Sequence, residues 1–242
     1  MSSTAFHLLP GLSWAFLSYT VAVIAVLAIV GRRHLKGGMS RLLPLLPAVW
    51  AIWGFTVAAS GLLQSSTRPP GIVLLVGPIL LSTIVTIGAG ALGRAMQANV
   101  PLAWLVGLQT FRVGVEAVIH ELWRAGWMPR AMTLGGGNVE LVYAASAPVV
   151  AWAVARGRVG RRFVVIWNAV GLLSLANVVL RGVGSAPGPA HFLHTEVANV
   201  AMGQFPFTLI PAVMVPLALG LHLVTARAAG MASQPSRRAA QA

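Results

Sequence analysis

An all-α bundle of seven transmembrane helices, with the N-terminus outside and the C-terminus inside, is the fold that three observations on this sequence predict. First, the 242 residues have a mean hydropathy of +0.81 and are only 9% charged, against roughly 25% in an ordinary soluble domain. Second, apolar runs of bilayer-spanning length, about 20 residues each, recur along the whole chain. Third, the basic residues gather in alternate loops between those runs. A formal net charge of +13 on a soluble chain would suggest nucleic acid. In a chain this apolar it encodes topology, so no nucleic-acid partner is expected and the bilayer is the first partner.

Apolar runs bounded by basic residues, Pro or Gly place spans at 8–31, 42–64, 71–93, 102–125, 139–157, 162–183 and 205–227. The first lacks a preceding basic stretch and is followed by Arg32, Arg33 and Lys36, which reads as a retained helix and not as a cleaved signal. With the N-terminus outside, the inner loops collect Arg32, Arg33, Lys36, Arg41, Arg94, Arg156, Arg158, Arg161, Arg162, Arg227, Arg237 and Arg238. The outer side receives Arg68, Arg124, Arg130 and Arg181, and Arg112 falls inside the fourth span. That asymmetry fixes the orientation and supports an odd number of crossings. Residues 1–228 form the membrane domain. From 229 to 242 the chain is polar, basic and Pro-containing, and is expected to be a disordered inner tail.

Missing residue types restrict the chemistry. There is no Cys, hence no thiolate catalysis, disulfide or thiolate metal site. Asp is absent as well, which removes Asp-rich magnesium–diphosphate sites, and the sole lysine, Lys36, lies in the first basic loop. Phosphate-loop and His-Glu-x-x-His signatures are not found. The acids are Glu116, Glu121, Glu140 and Glu196, all in the outer half or outer loops under this orientation, together with His7, His120, His191 and His194. Ionisable groups within a membrane are costly unless paired or hydrated, so this grouping implies a wet or internally paired outer cavity.

The fourth span is the most informative. Gln109, Arg112, Glu116 and His120 recur at intervals of three and four residues, which places them within about 80° of one helix face. Arg112, a permanently charged fork, suits a carboxylate or phosphate. Glu116 with His120 forms a candidate acid/base pair or proton relay. Gly135, Gly136 and Gly137 then lead to Asn138, a candidate helix cap and ligand residue ahead of Glu140. In the sixth span Ser174, Asn177 and Arg181 share a face, with Asn168 on another nearer the inside. Asn177 and Arg181 complete the candidate ligand-binding set. The connector beyond it, read as a short interfacial helix, carries His191 and His194, a candidate pair of metal ligands with His120 or a Glu. Pro206, Pro211 and Pro216 break or kink the last span near Phe207 and Ala212. His222 is read as a packing or interfacial residue.

The motifs Gln109-x-Phe-Arg112, Gly126-x-x-Pro129, Gly137-Asn138, Trp167-Asn168-x-x-Gly171-Leu172 and Pro206-(x)4-Pro211-(x)3-Val-Pro216-(x)5-His222 resemble those of small bacterial integral membrane proteins of unknown function, over about residues 105–223. The resemblance implies a multi-pass protein of the bacterial inner membrane and carries no catalytic role.

Three functions compete on these residues. One is binding or transport of a small solute, anions among the candidates, in an outward-facing polar pocket. A second is a membrane-embedded enzyme acting on a lipid or isoprenoid, with Glu116 and His120 as acid and base. The third is a scaffold subunit that packs through small-residue faces such as Gly88, Gly90 and Gly93 or Ala144, Ala145 and Ser146. No cofactor is specified by any of them.

Overall fold

A computed structural model describes residues 4–64, 70–188 and 191–230. After a short turn of helix at Thr4–Leu8 the chain forms α1 (Pro10–His34), α2 (Gly38–Ala59), α3 (Gly71–Ala89), α4 (Ala91–Asn99), α5 (Leu102–Arg124), α6 (Glu140–Ala155), α7 (Arg161–Ser185) and α8 (Ile210–Gly230). Among the described residues there is no strand. Six of these helices, α1, α2, α3, α5, α7 and α8, are long and apolar enough to cross a membrane. Their outward faces are apolar: Ile52, Leu81, Val149, Ile166 and Leu173 are among the exposed large side chains. A surface of that kind belongs against lipid.

The expected count of seven full spans is therefore corrected to six. The span predicted at 139–157 yields α6, a helix of 16 residues, or about 24 Å at 1.5 Å per residue, against a hydrocarbon core of about 30 Å. Hydropathy does not register where a helix begins, and here the preceding backbone prevents an earlier start. Residues Arg130–Met132 and Leu134–Gly136 make two short 3-10 turns, and Gly137 takes φ +96°, a left-handed conformation that suits glycine. Only at Glu140 does the α-helix begin, at the level of Arg112 near the middle of α5.

The last span also starts late. Pro206 stands before the helix, Pro211 lies in a first turn of π-helix at Ile210–Met214, and regular α-helix follows from Val215. The predicted break between Phe207 and Ala212 is thus present. α3 ends in another π-helical turn, Ile84–Ala89, and Gly90 is extended before α4. The connector around His191 and His194 is irregular, with a 3-10 turn at Ala201–Gly203, in place of the interfacial helix expected there. Of the predicted tail, Ala229 and Gly230 belong to α8 and the remainder lies outside the described residues.

Centrally placed, α8 packs along α7 and against α2, α3, α4 and the first half of α5. Close approach to α2 depends on Gly54, where an added Cβ would stand 2.6 Å from the Cβ of Ala212. α6 lies along the first half of α5 and beside α7. The small-residue faces proposed for partners are used internally: Gly88 faces Leu223, Ala144 is fully buried and Ser146 binds Trp167.

Candidate functional site

Where α5, α6, α7 and α8 meet, the fold buries one arginine with two glutamates, at the break in α5 where Gln109–Phe111 tightens into a 3-10 turn. Arg112 Nη2 forms an ion pair with Glu140 Oε1, and both side chains are only 4% exposed. Its Nη1 donates to Gln109 Oε1 at 3.3 Å and meets His222 Nε2 at 2.9 Å. The guanidinium carbon lies 4.7 Å from the centre of the Tyr143 ring, whose surroundings include Trp167 at 4.4 Å. Gly171 makes room for Tyr143, because a Cβ there would collide with the ring.

The protonation of His222 follows from these partners. Arginine has donors only, so Nε2 must accept, and the ring proton resides on Nδ1. Nδ1 lies 2.9 Å from Asn168 Oδ1, while Asn168 Nδ2 donates to the His222 carbonyl at 3.2 Å. The imidazole is a neutral bridge between α5 and α7.

The two carboxylates differ in how fully they are satisfied. Glu140 has Arg112 on one oxygen and the Ser174 hydroxyl on the other. Among the described residues Glu116 accepts only from Asn138 Nδ2, at 2.9 and 3.2 Å. Asn138 also donates to the Met132 carbonyl at 2.8 Å and accepts from the Glu140 backbone N–H at 3.1 Å through Oδ1. The N-cap of α6 is Val139 and not Asn138; Asn138, one residue earlier, holds the Glu140 N–H and Glu116 with the same side chain. Arg112 Nε and Gln109 Nε2 are buried donors without a partner among the described residues.

A cavity of about 50 Å³ ends on this cluster. Arg112, Glu116 and Glu140 form its polar end, and the rest of its wall is apolar, including Ile119, Leu175, Val179 and Met214. α3 contributes Ile72 and Val76 to the wall, α7 contributes Leu175, Val179 and Val183, and α8, which packs on both, contributes Met214 and Ala218. Such a space admits a small head group or a few waters at its polar end.

Of the residues singled out from the sequence, Gln109, Arg112, Glu116 and Asn138 converge. Asn177 and Arg181 serve the neighbouring loop: Arg181 donates from Nη1 to the carbonyls of Gly136 at 2.7 Å and Ala131 at 3.2 Å and from Nε to Asn177 Oδ1 at 2.9 Å, and Asn177 Nδ2 donates to the Gly137 carbonyl at 3.1 Å. His120 is exposed, with its ring 5.1 Å from Trp123 and no hydrogen bond to Glu116. An acid/base partnership between the two is not formed in this geometry. The His191 and His194 rings lie 6.1 Å apart, and among the described residues no three His, Asp or Glu side chains gather around a metal-sized space. Glu196, outside the spans, accepts the Arg130 backbone N–H at 2.5 Å, and that hydrogen bond holds its carboxyl below the usual range.

Sequence reasoning missed three members of the cluster. His222 and Tyr143 come from helices whose register cannot be read from a single span. Glu140 was identified as a residue of the first turn but not as the counter-ion of Arg112.

No curated protein and no solved structure matches the chain. One family does, over residues 69–228, so the match begins before α3 and leaves α1 and α2 outside it. That is wider than the resemblance over 105–223 and includes every residue of the cluster. The chain belongs to this family, described as a domain of unknown function, DUF8737.

Proposed function

We propose that this protein binds or translocates a small amphipathic molecule, whose polar head sits at Glu116 and Arg112 and whose apolar part lies between α3 and α7. The observation that supports this reading is the apolar cavity with its single polar end. Arg112, the cation that motivates an anionic solute, is already paired with Glu140. Glu116 has lone pairs to spare, and Arg112 Nε has a proton to spare. A head that both donates and accepts, such as a hydroxyl or a carboxamide, satisfies both.

The same reading includes the topology. The irregular stretch 130–139, whose carbonyls at Ala131, Gly136 and Gly137 are met by Arg181 and Asn177, would extend α6 toward the outer surface, since α6 is too short to cross alone. The outer loops then hold Arg124 and Arg130, the inner loops Arg156 to Arg162, in a bacterial inner membrane.

Native mass spectrometry of protein released from mild detergent, after incubation with a total lipid extract, tests the binding. The wild type is expected to retain an organic mass, Glu116→Gln to retain much less, and Val179→Trp, which fills the cavity, to retain none. Equal retention by wild type and Val179→Trp would sink the proposal.

A further inference from the structure

At the opposite end of the molecule the sequence concentrates cations that the buried site does not use. The turn between α6 and α7 reads Arg156-Gly-Arg158-Val-Gly-Arg161-Arg162, and its arginines are exposed. Arg161 Nη1 donates to the Ala228 carbonyl at 3.3 Å, which brings the end of α8, with Arg227, alongside the turn. The acids are remote: Glu116 and Glu140 lie in the buried cluster, and Glu121 and Glu196 pair with Arg124 and the Arg130 backbone. Among the described residues no carboxylate opposes these five arginines.

The aromatic side chains beside them are placed as in a membrane–water boundary. Trp152 and Phe163 are each 46% exposed, just inside the turn on α6 and α7. Arg158 lies 4.4 Å from the centre of the Trp152 ring and Arg156 5.9 Å from it. A guanidinium stacked on an indole uses its π face there, which leaves the N–H donors along its edge for a bidentate acceptor. Neither Arg156 nor Arg158 has a carboxylate or carbonyl partner among the described residues, in contrast to Arg112 and Arg181. Stacking also limits the freedom of a long side chain, so less entropy is lost when it binds.

We propose that this face, formed by Arg156, Arg158, Arg161, Arg162 and Arg227 around Trp152, is a binding site for the phosphate head of an anionic phospholipid of the same leaflet. The phosphate oxygens accept from the arginine edges, and the acyl chains lie along Trp152 and Phe163. Charge complementarity selects the head group. The aromatic neighbours select a lipid over a free phosphate ion, because they supply the apolar half of the contact.

Full-length protein reconstituted in nanodiscs is titrated with short-chain phosphatidylglycerol and, separately, with phosphatidylcholine and with inorganic phosphate. Binding is followed by native mass spectrometry. Phosphatidylglycerol is expected to bind at least tenfold more tightly than phosphatidylcholine, and Arg158→Gln with Arg162→Gln to weaken it by about fivefold for each arginine removed. Trp152→Leu, which keeps every charge, is expected to weaken the lipid but not the phosphate ion. Arg124→Gln with Arg130→Gln, on the opposite side, serves as the control for net charge. Equal binding of the two lipids, an equal loss in the Arg124/Arg130 control, or phosphate binding as tightly as the lipid would each overturn the proposal. Circular dichroism of each variant establishes that it is folded, and the result at the Glu116 site is read independently with Val179→Trp.

Discussion

The Arg112–Glu140 pair is the contact on which the buried cluster turns. Both side chains are enclosed, and removing one partner from a buried ion pair typically costs about 3–5 kcal/mol because the other charge is left uncompensated. Glu140→Ala is expected to lower the thermal midpoint in detergent strongly, and the double variant Glu140→Leu with Arg112→Met to restore much of it. A double variant as unstable as the single one would show that the pair is not the cause. His222→Phe, which removes the bridge to Asn168, should destabilise less, by about 1–3 kcal/mol through the donors it leaves unmet. Glu196 gives a weaker and exposed test. Its carboxyl is held below the ordinary range by the Arg130 N–H, so the tether is intact above that range and is lost as pH falls through the lowered value. The protection factor of the Arg130 amide, its exchange rate relative to the unprotected rate at the same pH, is expected to fall on acidification in the wild type and to be low at every pH in Glu196→Ala.

Helix registers decide what could be read in advance. Gln109, Arg112, Glu116 and Asn138 stood out because local spacing along one helix, or a candidate cap next to a glycine run, is visible in a short stretch of sequence. His222 and Tyr143 did not, since each is an isolated residue on a helix that looks apolar, and only the crossing of α6 and α8 with α5 brings them to Arg112. His120 misled for the opposite reason: its spacing matches the Glu116 face, yet α5 turns enough by that point for the ring to emerge beside Trp123. The six long helices were legible from hydropathy. The short start of α6 was not, because it depends on backbone conformation at 130–138 and not on side-chain polarity. Packing between elements makes a further prediction. Gly171→Leu, directed into the Tyr143 ring, is expected to cost about 1–3 kcal/mol through overpacking, whereas Gly77→Ala, with nothing within 4 Å of its new methyl, should be tolerated. Thermal unfolding of the two variants side by side measures the difference.

For the molecule as a whole, sidedness can be measured directly, and the absence of cysteine makes single-cysteine labelling clean. Ala125→Cys, at the end of α5, and Ala155→Cys, at the end of α6, are expected to react from opposite sides of the membrane. Labelling of both by the same impermeant maleimide in sealed cells would show that the stretch between them does not cross. The two ends of the bundle are chemically distinct. One presents a cavity lined by apolar groups with Arg112, Glu116 and Glu140 at its polar end, and the other a set of exposed arginines with stacked aromatics.

The position of Glu140 at the first residue of a short helix has a consequence for biogenesis. A segment that must place a carboxylate near the bilayer centre is a poor substrate for insertion alone, and so is one that carries Arg112 at the same depth. Entering together as a hairpin, the two neutralise one another before either faces hydrocarbon. Insertion of the 102–155 hairpin in a cell-free translocation assay is therefore expected to fall when Glu140 is replaced by Ala, because Arg112 then enters without its counter-ion.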